Sequence, residues 1–90
     1  MGCINLSVRL SWMPTVWRED GLEFVICYND HGPPHVHVYC GEAGAVIRLG
    51  PTGPVLHAVF GMTRRDVRRA TSVAHRKQAL LLAAWRQIHG

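Results

Sequence analysis

The chain has 90 residues, 48% of them hydrophobic and 18% charged, the balance of one small globular domain rather than a disordered or multidomain chain. No apolar run approaches the ~18 residues of a membrane-spanning helix, and a domain this small buries a thin core, so part of its stability is expected to come from a partner. Its net charge of +4 is unevenly placed. Residues 1–62 carry three Arg and five acidic residues, net −2, whereas residues 63–90 carry six Arg, one Lys and the single acid Asp66, net +6. A basic C-terminal third suits a nucleic acid or an acidic protein partner, against the plain alternative of a solvated helix face.

Cys3, Cys27 and Cys40 are odd in number and far apart, with no C-x-x-C spacing, so free thiols in a reducing cytoplasm are expected. Leu6 stands where a myristoylation signal needs Ser or Thr. No charged segment followed by an apolar core marks a signal peptide.

In residues 1–12, Ile4, Leu6, Val8 and Leu10 alternate with Asn5, Ser7 and Arg9. They read as an edge strand, or as an extension upstream of a natural start at Met13. Residues 13–90 read as a single α+β domain. Thr15 to Arg18 is a short predicted strand and Glu19-Asp20-Gly21 a turn. Leu22 to Tyr28 is a longer strand, with Leu22, Phe24, Ile26 and Tyr28 on one face and Glu23, Val25 and Cys27 on the other. Asn29 to Pro34 is a loop whose two prolines impose extended backbone. His35 to Cys40 is the next strand, with Val36, Val38 and Cys40 opposite His35, His37 and Tyr39. A turn at Gly41-Glu42 returns the chain through Ala43 to Leu49, and Val55 to Phe60 is a last strand. Thr63 is the expected N-cap of a helix, with Asp66 three residues on. Val67, Ala70 and Ala74 form its apolar stripe, facing away from Arg64, Arg65, Arg68, Arg69 and Arg76. A bend over His75 to Gln78 separates it from a second helix that docks Leu80, Trp85 and Ile88 on the sheet. The expected fold is therefore an antiparallel sheet of three to five strands followed by two C-terminal helices on one face.

The chemistry concentrates in Asp30-His31-Gly32-Pro33-Pro34-His35-Val36-His37, with three of the six histidines in seven residues. On a strand, His35 and His37 project from one face, their Cβ atoms about 6–7 Å apart. That pair can exchange protons near neutral pH without a cofactor, as RNA cleavage requires, with Asp30 or His31 orienting it and Arg68 or Arg69 holding phosphate. It can instead supply two metal ligands, joined by Asp30, His31 or a distant residue. The bland alternative is a half-exposed strand beside a structural turn. The basic helix, through Arg64, Arg65, Arg68, Arg69 and Arg76, can track a phosphate backbone, dock an acidic partner or simply be solvated. His57, His75 and His89 read as surface residues, and Cys27 lacks the surroundings that activate a nucleophile.

Met13-Pro14-Thr15-Val16, Tyr28 through Val38 with its D-H-x-P-P-H-x-H-V run, and Leu80 through Trp85 together resemble the small prokaryotic domain-of-unknown-function family 4160, from Met13 to Gly90. The resemblance implies a cytoplasmic protein that acts as the toxin of a type II toxin–antitoxin pair, with an antitoxin of family 2442 as its partner. It carries no assigned catalytic residues, so the roles given to Asp30, His31, His35 and His37 rest on their chemistry. Residues 1–12 lie outside the pattern. The first helix is richer in Arg than the family pattern, and Ala79, Ala83 and Ala84 stand where acidic residues are common, which favours a nucleic-acid or acidic partner. No cofactor and no membrane contact is expected, and a sheet edge in so small a domain invites a homodimer.

Overall fold

Alternating apolar residues between Thr15 and Phe60 build five strands in a computed structural model that describes residues 13–90; the expectations for residues 1–12 lie outside the described residues. The strands are β1 (Thr15–Glu19), β2 (Leu22–Val25), β3 (His35–Cys40), β4 (Ala43–Gly50) and β5 (Gly53–Phe60), followed by helices α1 (Arg64–Arg76) and α2 (Gln78–His89). Each strand pairs antiparallel with the next, in the order β1-β2-β3-β4-β5. The β1–β2 turn places Asp20 at φ 52° and Gly21 at φ 76°, the backbone sign that twists a two-residue hairpin correctly.

One face of the sheet buries Leu22, Phe24, Ile26, Val36, Val38, Ala45, Ile47 and Leu49 against Ala70, Val73 and Ala74 of α1 and Leu81 and Trp85 of α2. Both helices thus cover the same face, and this is the α+β architecture read from the periodicity. Thr63 caps α1, its hydroxyl oxygen accepting the Asp66 N–H at 3.1 Å. The break between the helices falls at Lys77, whose ammonium sits 4.3 Å above the Trp17 ring. Gln78 donates to the Gly50 carbonyl at 2.7 Å and ties the corner to the β4–β5 turn.

Three expectations are corrected. The β2 strand stops at Val25, because Pro14, opposite Ile26, accepts the Ile26 N–H but has no N–H to donate back, and the chain turns at Cys27; Tyr28 is exposed rather than in register. In α2 it is Leu81 that is buried, whereas Leu80 is turned to solvent. Cys27 is a buried free thiol, but Cys40 is disulfide-bonded, so cysteine usage no longer argues for a reducing compartment. Among the described residues, no helix is long and apolar enough to cross a membrane.

Candidate functional site

Beyond β2 the chain makes a tight turn over Cys27–Asp30. The Asp30 N–H donates to the Cys27 carbonyl at 3.1 Å, and the Cys27 N–H donates back to Asp30 Oδ2 at 3.1 Å. His89, at the end of α2, donates from Nε2 to the same Cys27 carbonyl at 3.1 Å. The turn is therefore held by its own sequence and by a residue 62 positions away. A cis Gly32-Pro33 bond and Pro34 then lead into β3, and the Leu49 N–H donates to the Pro34 carbonyl at 2.9 Å.

This turn and β3 converge on Asp30. Its Oδ2 lies 3.4 Å from His35 Nε2 and 3.3 Å from His37 Nε2, and all three side chains are less than a quarter exposed. The His35 ring is fixed at its far side, where Nδ1 donates to the Pro33 carbonyl at 2.9 Å. In the neutral ring that leaves Nε2 as a lone pair facing the carboxylate. The two imidazoles meet edge to face, their centroids 5.4 Å apart. His35 also rests 5.1 Å from the Trp85 ring, and Trp85 in turn lies 4.2 Å from His89. Burial lowers the pKa of His37, the Asp30 charge working against that shift. Burial and then the Asp30 charge raise the Cys27 thiol, which keeps it protonated and a poor nucleophile. Cys27 Sγ, an Asp30 oxygen and a His37 nitrogen all lie within 4.8 Å of one another.

A cavity of about 170 Å³ opens beside this cluster, lined by His31, Pro33, His35, Val46, Arg48 and His57. Cross-strand register explains the set. His35 is paired with Arg48, and Arg48 with Val55. The β4–β5 ladder slips between Val46 and Ile47, whose partners are Ala58 and Leu56, so His57 is the extra residue of a β-bulge. A bulge redirects the side chain it adds, and His57 lines the cavity. Its lining residues are three histidines, one arginine, Pro33 and Val46, with no Asp or Glu among them.

The sequence-predicted residues therefore fall into two groups. Asp30, His35 and His37 are brought together, and His31 joins His35 at the cavity. The α1 arginines are not bonded to this cluster. Arg69 pairs with Asp66 at 2.7 Å and also donates to the Asp20 carbonyl, and Arg76 is held by Glu19. Arg64, Arg65 and Arg68 are exposed and form no ion pair among the described residues. Arg68 and Arg69 line a separate cavity with Arg65, Ser72 and Arg76. Sequence reasoning missed Arg48, His57 and His89. Period-two alternation on β4 puts Arg48 on the face opposite the core residues Ile47 and Leu49, but its pairing with His35 comes only from the strand register. The bulge and the helix–turn contact leave no local trace for the other two.

Residues 21–86 match the family model described as a domain of unknown function (DUF4160). No curated protein and no solved structure matches the chain.

Proposed function

The chain belongs to the domain-of-unknown-function family 4160, and from that premise we propose that it binds RNA by seating a backbone phosphate in the His31–His35–Arg48–His57 cavity. The observation that carries this reading is Arg48. It forms no ion pair among the described residues, and the cavity it lines is shared with three histidines and no Asp or Glu. A guanidinium offers a planar fork of donors that matches phosphate oxygens, and ring N–H groups add directional donors beside it. The loop that carries His31 also exposes the Tyr28 ring, a surface on which a base can stack. Acid–base chemistry on the bound phosphate falls to His31 and His57 of the cavity lining, because His35 has Nδ1 bonded to the Pro33 carbonyl and Nε2 facing Asp30, and His37 is turned to Asp30 as well. In the cell, this reading is that of a toxin restrained by an antitoxin of family 2442.

The test is anisotropy of a labelled single-stranded RNA across a salt series, with wild type beside Arg48→Ala. Loss of one phosphate contact should weaken binding and flatten the log–log salt slope by about 0.7. An unchanged affinity and slope would remove the cavity as the phosphate site.

A second reading rests on Arg64, Arg65 and Arg68, the exposed cations of α1. There, RNA or an acidic partner lies along the helix and the cavity is architectural. Binding lost on replacing those three residues, but kept by Arg48→Ala, would establish it instead.

A further inference from the structure

We propose that Cys27, Asp30 and His37 form a binding site for a single zinc-type divalent cation, with the fourth position left to water. The site uses neither Arg48 nor His57 and does not depend on the RNA reading. Two elements converge on it: the Cys27–Asp30 turn brings the thiol and the carboxylate, and β3 brings the imidazole. The turn is already held by its two internal hydrogen bonds and by His89, so the donors need little ordering when a cation arrives.

The decisive atom is His37 Nε2. It is inaccessible to solvent and has no hydrogen-bond partner, an arrangement that is costly when nothing compensates it. It faces Asp30 Oδ2 at 3.3 Å, longer than the 2.7–2.9 Å or so of a charge-assisted hydrogen bond. Two ligands bound at about 2.0–2.1 Å to a tetrahedral ion lie about 3.3–3.4 Å apart, so the separation suits a shared cation. His35 Nε2 faces the same oxygen at 3.4 Å with its Nδ1 proton committed to Pro33. Sulfur, nitrogen and carboxylate oxygen in one set favour zinc and cobalt over magnesium or calcium. Binding breaks the Cys27 S–H bond, forms a sulfur–metal bond and releases the proton to solvent.

The experiment is a cobalt(II) titration of the full-length, untagged chain after chelator treatment, followed by zinc displacement. One equivalent should give the visible bands of a four-coordinate ion and a near-ultraviolet thiolate-to-cobalt band. Zinc should abolish both. Cys27→Ser should remove the thiolate band, and His37→Ala and Asp30→Asn should each weaken affinity by at least about 100-fold, beyond the effect of outer partners. His57→Ala should leave the titration unchanged, and a cooperative thermal transition verifies that each variant is folded. Absence of stoichiometric binding by the wild type, a thiolate band that survives Cys27→Ser, or full affinity in folded His37→Ala would overturn the site. RNA binding is scored separately, so either proposal can fail alone.

Discussion

Trp85→Ala is the substitution that most directly couples the fold to the site. Trp85 is 5% exposed within the core between the sheet and α2, and its ring is the link between His35 at 5.1 Å and His89 at 4.2 Å. Truncating a buried Trp costs about 3–5 kcal/mol through lost transfer energy and the cavity left behind. A 90-residue domain has a total stability of about 5–13 kcal/mol, so the loss is a large share of it. At about 4–8 °C per kcal/mol for a domain of this size, the melting temperature should fall by at least about 12 °C. Trp85→Phe keeps an aromatic face against His35 and His89 and should lose about half as much or less. Circular dichroism melts of the three proteins decide the matter. A melting temperature for Trp85→Ala within about 2 °C of wild type would refute the placement of Trp85 in the core.

Three further outcomes are expected. Thr63→Ala removes the acceptor for the Asp66 N–H and should cost about 1 kcal/mol in urea unfolding; Thr63→Ser should restore most of it. The Arg76 hydrogen bond, and next that from Trp17, hold the Glu19 carboxyl below its ordinary pKa, so Arg76→Ala should raise it in a carbon-detected NMR titration. Because the folded value is the lower one, the stabilisation is present above the unfolded-state pKa and is lost as pH falls through the folded value; wild type and Arg76→Ala should therefore converge in stability at acid pH. His89→Ala deletes the bond to the Cys27 carbonyl and should weaken cobalt binding by about 10-fold while leaving the band shape unchanged, the signature of a positioning residue rather than a ligand.

Much of the fold was legible because local chemistry and global packing agree. Alternation marked β3 and β4, Thr63 and Asp66 marked the start of α1, and the break between the two apolar stripes, expected over His75 to Gln78, falls at Lys77. The misjudged places are those where a long-range contact outweighs periodicity. Pro14, just before β1, has no N–H to return to Ile26, and β2 ends early. On α2, Leu80 and Leu81 are adjacent and both apolar; only the approach of the helix to the sheet selects Leu81 for burial. The site divides in the same way. The Asp30–His35–His37 cluster was readable because it lies within eight residues of strand and loop. Arg48 comes from the facing strand, His57 from a bulge and His89 from the far end of the chain. Spacing along the sequence carries no record of those approaches.

The measurement that bears most directly on the proposed function is a two-dimensional proton–nitrogen NMR titration with a short single-stranded RNA, following arginine and histidine side-chain resonances. The expected result is perturbation centred on His31, His35, Arg48 and His57, reversed by added salt and absent in Arg48→Ala. Perturbation confined to Arg64, Arg65 and Arg68, with the cavity resonances unmoved at saturating RNA, would contradict it and assign the interaction to α1.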